Sequence, residues 1–328
     1  MTTKTAIGCV ATVAALLLGA GRVADAFNSP ELRSSGASAV PDVADALAEI
    51  LVEAREPRFV APTRRDRIGR IWAPVFINGR GPFRLVLDTG ASHSGVTAMV
   101  ALALGIPTDQ SPPVILRGVT GFATVPTIRV DTLSVGDVAV DSPLLPIVPD
   151  AMGGAEGILG SEGLTNKRIF IDFRHDRITI AYSRGERAGS DFVRIPFRSL
   201  HGQLIVVDAM VGQVRTKAII DTGGQSTVAN LALRDALGHR RGGGRPDQII
   251  GATMVAEDGE IIATPAIELG KIKMLDPGVT FANLYIFKQW KLVGEPAILI
   301  GMDALGVLDT LIIDYRQHEL HMRAQTRG

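Results

Sequence analysis

Leu85-Val86-Leu87-Asp88-Thr89-Gly90-Ala91-Ser92 is the stretch that decides the interpretation of this chain, because a related stretch follows later. The second copy is Ala218-Ile219-Ile220-Asp221-Thr222-Gly223-Gly224-Gln225. In each copy an apolar run, typical of a buried strand, ends at an Asp followed by small residues that favour a tight turn. A single Asp-Thr-Gly is weak evidence, since Asp and Gly are ordinary turn residues. Two copies in matching contexts are much stronger evidence.

The similarity extends well beyond the two motifs. The aspartates are 133 positions apart (221 − 88), and the same offset pairs Gly69 with Gly202 and Thr120 with Thr253. Later the offset grows to 141–142 (299 − 158 and 313 − 171), as a loop insertion would produce, and two matched pairs of stretches follow: 158–164 with 299–305, and 171–174 with 313–316. This period is far longer than the roughly 20–50 residues of solenoid repeats. The sequence therefore predicts two homologous lobes.

Composition limits the class of protein. The chain has 328 residues, of which 46% are hydrophobic and 21% charged, and this balance suits a globular protein with a sizeable core. The 34 basic and 34 acidic residues give a formal net charge of zero, and Lys and Arg are scattered along the chain. Because no basic surface is indicated, we expect no nucleic-acid partner.

The N-terminus resembles an export signal. Lys4 precedes an apolar core at residues 6–20, and Ala24-Asp25-Ala26 has the form of a cleavage site, so residues 1–26 are predicted to be a signal peptide. An uncleaved membrane anchor is the alternative, although the apolar core is short for a span of roughly 20 residues. Cys9 is the only cysteine, so the mature chain is predicted to lack disulfides. A periplasmic or secreted location fits these features.

The remaining chain divides into four predicted segments. Residues 27–66 are predicted to be a linker or stalk with one helix, because Val43, Leu47, Ile50, Leu51 and Ala54 recur at helical spacing; a pro-segment is the alternative. The first lobe is assigned to 67–182, an inter-lobe linker to 183–200 and the second lobe to 201–324. Short apolar runs with frequent turns, including one run at 125–135, predict an all-β fold with a few short helices, among them 98–104 and 228–237.

Two Asp-Thr-Gly loops suit one kind of chemistry. Two carboxylates held face to face cannot both ionise cheaply, so they share one proton. The ionised carboxylate can then accept a proton from water, while the protonated one hydrogen-bonds the carbonyl that the water attacks. The neighbouring Thr can lock the loops together through its hydroxyl, and Gly allows close backbone approach. Peptide hydrolysis needs little else, so no metal or organic cofactor is expected.

These residues resemble those of the aspartic proteases, specifically the retropepsin-like branch. The resemblance rests on residues 88–92 and on the apolar-apolar-Gly element Ile158-Leu159-Gly160, and runs over about 67–182 and 202–322. It implies two retropepsin-like lobes in a bilobal, pepsin-like arrangement. It also implies a catalytic pair, Asp88 and Asp221; loop support from Thr89, Gly90, Thr222 and Gly223; and a substrate-binding flap at Gly118, Val119, Thr120, Gly121 and Phe122, with Gly251 and Thr253 in its second-lobe counterpart.

One departure from the pattern leaves alternatives open. Gly224 stands where the family usually has Ala, Ser or Thr, so it loosens the second loop and cannot supply a side-chain hydrogen bond. Besides an aspartic endopeptidase active as a monomer, the sequence therefore allows a non-catalytic peptide-binding protein and a protease that pairs Asp88 between two chains. In each case the partner is a protein or peptide, and membrane association is expected only if the signal stays uncleaved.

Other polar residues are not predicted to take part in catalysis or metal binding. His93 is not expected to form a Ser-His-Asp site with Ser92 or Ser94, because adjacent turn residues rarely converge and neither serine lies in a Gly-x-Ser-x-Gly elbow. The histidines show no metal-binding pattern. Asp172 and Asp314 recur at equivalent positions and are predicted to make structural hydrogen bonds within each lobe.

Overall fold

A computed structural model describes residues 10–13, 17–18, 50–53 and 71–324. Within the last range it leaves out 136–137, 141–143, 151–152, 176, 202–203, 240–241 and 276. Most of the predicted signal peptide and most of the predicted linker at 27–66 lie outside the described residues. Within them, strands β1 (Val10–Val13), β2 (Leu17–Leu18) and β3 (Ile50–Glu53) each pair with a strand of the main body. No helix among the described residues is long and apolar enough to cross a membrane.

The first lobe is almost entirely β-structure. Its elements are β4 (Trp72–Ile77), β5 (Arg80–Leu87), β6 (Gly95–Val96), α1 (Ala98–Leu104), β7 (Val114–Arg117), β8 (Phe122–Val125), β9 (Thr127–Arg129), β10 (Leu133–Val135), β11 (Val138–Val140), β12 (Leu144–Pro146), β13 (Gly157–Leu159), β14 (Lys167–Asp172) and β15 (Arg177–Tyr182). Its central sheet has the order β11-β10-β4-β5-β13-β6.

The second lobe repeats this plan after β16 (Val193–Pro196) and β17 (Arg198–Leu200). Its elements are β18 (Leu204–Val211), β19 (Val214–Ile220), β20 (Val228–Ala229), α2 (Leu231–Ala236), β21 (Arg245–Gly251), β22 (Ala256–Ala263), β23 (Ile267–Leu269), β24 (Ile272–Met274), β25 (Gly278–Phe281), α3 (Tyr285–Gln289), β26 (Ala297–Ile300), α4 (Met302–Leu305), β27 (Leu308–Asp314) and β28 (Glu319–Ala324). The order β24-β23-β18-β19-β26-β20 matches the central sheet of the first lobe strand for strand.

A third sheet joins the lobes, with the order β16-β28-β27-β14-β15-β3. At its centre β14 and β27 run antiparallel, with Ile169 opposite Ile313 and Ile171 opposite Leu311. The offset of 142 carries 169 to 311 and 171 to 313, so this pairing exchanges equivalent residues. The pair Phe170 and Ile312 therefore lies on a pseudo-twofold axis that relates the lobes.

The buried core explains why these strands form. β4 and β14 bury every second residue, as strands with one face on a core do. β13 and β26 are buried along their whole length, and each pairs in parallel with the strand that carries an Asp-Thr-Gly motif. Together with the four short helices found in the described part of the chain, this confirms the predicted all-β class, and the two lobes share one order of strands.

The structure corrects several element predictions. Residues 50–53 form a strand at a sheet edge instead of part of a helix, and the predicted linker at 183–200 contains β16 and β17. The predicted helix at 228–237 begins only at Leu231, because Val228 and Ala229 pair with β25 and β26 and Asn230 caps the helix through its side chain.

The long strand predicted at 125–135 is divided, and its division distinguishes the lobes. Pro126 has no backbone N–H to donate, and it separates β8 from β9. The equivalent β22 of the second lobe is one uninterrupted strand that pairs with β25 and so joins the central sheet.

Candidate active site

Both aspartates lie at the ends of central strands, where the chain leaves the sheet. Asp88 follows β5, and its N–H donates to the Leu159 carbonyl at 2.9 Å. Asp221 follows β19, and its N–H donates to the Ile300 carbonyl at 3.0 Å. Each aspartate is thus fixed by the apolar-apolar-Gly element of its own lobe. Both side chains are completely buried.

Backbone N–H groups of the turns hold the two carboxylates. Asp88 Oδ1 accepts from Gly90 N at 2.8 Å, while Asp221 Oδ1 accepts from Gly223 N at 3.0 Å and from Gly224 N at 2.9 Å. A Cβ at Gly224 would lie 2.8 Å from Asp221 Oδ2. Because Gly224 has no side chain, its backbone can lie close to the Asp221 carboxylate. The hydrogen bonds that this carboxylate accepts from Gly223 N and Gly224 N order the loop.

The two threonines join the loops by reciprocal hydrogen bonds. Thr89 N donates to Thr222 Oγ1, and Thr222 N donates to Thr89 Oγ1, each at 3.1 Å. Each hydroxyl also donates across the interface, Thr89 Oγ1 to the Ile220 carbonyl and Thr222 Oγ1 to the Leu87 carbonyl, both at 2.7 Å. Both side chains are fully buried, so these four bonds form away from water. They hold the lobes in one register at the candidate site.

The glycines of the motifs allow each loop to pack on the opposite aspartate. A Cβ at Gly90 would lie 2.8 Å from Asp221 Oδ1, and a Cβ at Gly223 would overlap the carboxyl carbon of Asp88. Any side chain at these positions would push the loops apart. Gly90 packs on Asp221 and Gly223 packs on Asp88, so the contacts are reciprocal, as the pseudo-twofold axis requires. It brings Asp88 and Asp221 into one site.

Burial and the neighbouring charge set the electrostatics of this site. Burial raises the pKa of Asp88 well above its usual range, and the charge of Asp221 and a hydrogen bond with it raise that pKa further. The hydrogen bonds from Gly90 and Ala91 lower it, but by less. The site therefore retains a proton at pH values where an exposed Asp would be ionised.

Sequence reasoning missed a second pair of carboxylates that brace the loops. In the first lobe Glu162 Oε1 accepts from Ser94 N at 2.5 Å, and Ser94 Oγ accepts from Gly160 N at 3.0 Å. The signal was present in the aligned repeats, because the second matched stretch sets Glu162 against Asp303.

The second lobe repeats this bracing with Asp303. Asp303 accepts from Thr227 N at 2.9 Å and Thr227 Oγ1 at 2.7 Å, and Thr227 Oγ1 accepts from Gly301 N at 3.2 Å. Burial raises the pKa of Asp303 despite these hydrogen bonds. The bracing thus links each Asp-Thr-Gly loop to the apolar-apolar-Gly element behind it.

The predicted flap is a hairpin made of β7 and β8, and its counterpart is made of β21 and β22. The two tips contact each other: Gly251 N donates to Thr120 Oγ1 at 3.2 Å, and a Cβ at Gly118 would lie 3.2 Å from Thr253 Cγ2. Gly121 makes a similar approach to Val255. All the residues predicted for the two flaps therefore belong to the hairpin tips or lie next to them.

The tips also exchange apolar contacts between the lobes. Val119 is fully buried in a cluster of second-lobe side chains that includes Ile249 and Ile286, and its carbonyl accepts from Ile286 N at 3.0 Å. Ala252, the counterpart of Val119 at the offset of 133, is buried in a first-lobe cluster with Leu116. Each flap thus packs on the opposite lobe, and in this arrangement both aspartates are closed off from solvent.

Two further aromatic and polar contacts lie near this site. Phe122 is 61% exposed, and its ring centre lies 5.7 Å from that of Tyr285, a contact between the first flap and α3 that the sequence did not indicate. Ser92 and His93 do converge, contrary to expectation, with Oγ 3.0 Å from Nδ1. Among the described residues no hydrogen bond or ion pair joins the His93 ring to a carboxylate, and burial lowers the pKa of His93.

Asp172 and Asp314 make structural hydrogen bonds within their own lobes, as predicted, since Asp314 Oδ1 accepts from Gln317 N at 3.0 Å, and Asp314 also reaches residues outside its lobe. Asp172 accepts from Arg174 N and His175 N, each at 3.0 Å. Asp314 is fully buried and accepts from the hydroxyl of Ser183 at 2.8 Å, while Arg168 Nη1 of the first lobe lies 3.4 Å away. Because β27 pairs with β14, Asp314 joins the second lobe to Arg168 of the first lobe and to Ser183.

Comparison with known proteins relates the first lobe of the chain to aspartic proteases. A family model described as aspartyl protease matches residues 73–162, which lie in the first lobe. Among solved structures, the chain resembles a retropepsin-like aspartic protease from Rickettsia conorii, with 16% identity over 40% of this chain and 90% of that one and a TM-score of 0.32. It also resembles basic 7S globulin from soybean, with 10% identity over 78% and 93% and a TM-score of 0.40. No curated protein sequence matches the chain.

Proposed function

We propose that the chain is an exported, two-lobed aspartic endopeptidase that hydrolyses peptide bonds with water activated by Asp88 and Asp221. One observation carries the proposal: two fully buried aspartates lie in one site, held by reciprocal threonine hydrogen bonds. The aspartyl protease match over residues 73–162 supports the same chemistry for the first lobe. The apolar stretch at residues 6–20 and the Ala24-Asp25-Ala26 site support export.

The proposed reaction follows from the shared proton. One carboxylate is ionised and removes a proton from water as the water oxygen attacks the peptide carbonyl carbon. The other carboxyl group donates its proton to the carbonyl oxygen, giving a tetrahedral intermediate without a buried charge on that oxygen. Proton transfer to the amide nitrogen and cleavage of the C–N bond then release the two products. The raised pKa of Asp88 is consistent with the protonated role.

The contacts between lobes favour a single-chain site over the alternatives. Asp221 accepts two hydrogen bonds at 3.0 and 2.9 Å in a loop that carries Gly224, so the second loop has the features of a working half-site. The threonine bonds join the loop that carries Asp88 to the loop that carries Asp221 in the same chain. A substrate would bind as an extended strand beneath the flaps after their tips separate.

Cleavage of an unfolded protein substrate across acidic to neutral pH tests this proposal. We expect the unmodified chain to cleave, and we expect Asp88→Asn and Asp221→Asn each to abolish cleavage. Loss in Asp88→Asn alone, with a rate that depends on protein concentration, would favour pairing between two chains. Peptide binding without cleavage would favour the non-catalytic binding protein, provided that removal of the residues before Arg67 does not restore cleavage.

A further inference from the structure

At Glu257 the inner face of the second flap carries a carboxylate that the first flap lacks at the paired position. In the second flap Glu257 of β22 lies opposite Ile249 of β21. The equivalent pair in the first flap is Ala123 opposite Leu116, since 249 − 116 is again 133. Residues directly opposite in an antiparallel pair project to the same face. Because Ile249 and Leu116 are fully buried beneath the flaps, Glu257 and Ala123 occupy the inner faces.

Glu257 lies between the base and the tip of its flap. The next residue on the same face toward the base is Gly259, where a Cβ would lie 2.9 Å from Thr280 Cγ2 and 3.3 Å from Ala282 Cβ. Gly259 therefore rests on the body of the second lobe. Toward the tip, Val255 contacts Gly121 of the first flap. Glu257 thus lies where the hairpin bridges the space between the lobe and the opposite flap.

Among the described residues, Glu257 is the one carboxylate of this hairpin whose side chain makes no hydrogen bond or ion pair. Asp247 accepts from Thr280 Oγ1 at 2.6 Å, and Glu260 accepts from Gly242 N at 2.8 and 3.0 Å. Asp258 projects to the outer face, is exposed and accepts from Gln248 Nε2 at 3.3 Å. Glu257 is half-buried beside an apolar cluster, and a carboxylate in such a place is stabilised by a cation that reaches it.

We propose that Glu257 makes the enzyme select a Lys or Arg side chain at one position of its peptide substrate. The inference rests on the proposed endopeptidase function and adds a substrate class to it. The side chains of an extended peptide alternate, so one of them enters the space bounded by the second flap and the cluster around Ile249. A Lys or Arg stem packs on the apolar cluster while its charged end reaches the carboxylate. Ala123 leaves the symmetry-related subsite of the first lobe without such a group.

Cleavage of a mixed peptide library by the full chain, read by mass spectrometry, tests this selection. We expect Lys and Arg to be enriched at one fixed position relative to the cleaved bond. Glu257→Gln should reduce that enrichment about tenfold, the size of one charge-assisted hydrogen bond, while cleavage continues. Asp258→Asn is the matched control, because Asp258 lies one residue away on the outer face, and it should leave the enrichment unchanged.

A transfer experiment uses the pseudo-twofold symmetry. Ala123→Glu places a carboxylate at the equivalent position of the first flap. We expect it to add a Lys or Arg preference at the symmetry-related position on the other side of the cleaved bond. Cleavage with no Lys or Arg enrichment in the unmodified chain, or with enrichment that Glu257→Gln leaves intact, would overturn the inference and leave the endopeptidase proposal standing.

Binding separates the two proposals if no cleavage occurs. The Asp88→Asn/Asp221→Asn variant is titrated with fluorescent peptides that differ only in carrying Lys or norleucine at a scanned position. Tighter binding of the Lys peptide that disappears in Glu257→Gln would support recognition by Glu257 without catalysis. Equal binding of both peptides, with Glu257 present, would refute the inference.

Discussion

Replacing Thr89 by Val tests whether the reciprocal threonine bonds hold the two lobes together. Val keeps nearly the shape of Thr but lacks the hydroxyl, so two bonds disappear: the one from Thr222 N at 3.1 Å and the one to the Ile220 carbonyl at 2.7 Å. Each buried partner left unsatisfied costs about 1–3 kcal/mol, so we expect a loss of about 2–6 kcal/mol in the free energy of unfolding. Against a total of about 5–15 kcal/mol, this is a large effect.

Guanidinium denaturation of the full chain measures the loss, and Thr89→Ser is the matched control. Ser keeps the hydroxyl and loses one methyl group, which costs about 1 kcal/mol. Because the bonds cross between lobes, we also expect Thr89→Val to broaden or split the calorimetric unfolding transition. A Thr89→Val variant within about 0.5 kcal/mol of Thr89→Ser, with one unchanged transition, would show that other contacts hold the lobes together.

Two further predictions concern the same site. Because burial raises the folded-state pKa of Asp88, this group stabilises the fold most at low pH, and the contribution is lost as pH rises from the usual Asp range through the raised pKa. Asp88→Asn should therefore become more stable relative to the unmodified chain as pH rises. Denaturation at several pH values measures this, and free energies of unfolding that change in parallel for the two proteins would contradict it. Gly223→Ala should destabilise the chain by about 1–3 kcal/mol and abolish cleavage, because its Cβ would overlap the Asp88 carboxyl group. Gly294→Ala, where nothing lies within 4 Å of an added Cβ, should have neither effect in the same denaturation and cleavage assays.

The sequence predicted the parts of the site that depend on local pattern. An apolar run that ends in Asp-Thr-Gly specifies a strand followed by a turn wherever it occurs, so both loops could be placed from residues 85–92 and 218–225 alone. The constant offset of 133 then predicted that the second lobe repeats the first. Helix α1 at 98–104 was likewise predictable, because Gly105 is a typical residue to end a helix. In the structure Gly105 does end it, in the left-handed conformation at a φ of 71°.

Elements without a distinctive local pattern were predicted less well. Val228 and Ala229 suit a helix by composition, but two neighbouring strands hold them extended. The segment at 183–200 reads as a polar linker, yet part of it completes the sheet between the lobes through β16. In these places hydrogen bonds to distant strands outweigh local preference.

The sequence by itself determined the two carboxylates, their loops and the repeated stretches around them, because these are properties of short stretches and of their spacing. Only the tertiary structure decided which groups meet. The contact of Gly223 with Asp88, the Ser94–Glu162 and Thr227–Asp303 bracing and the insertion of Val119 into the second lobe all join residues at least 60 positions apart. The inward position of Glu257 likewise depends on its register with Ile249, which is set by the hydrogen bonds of the hairpin and not by the residues beside Glu257.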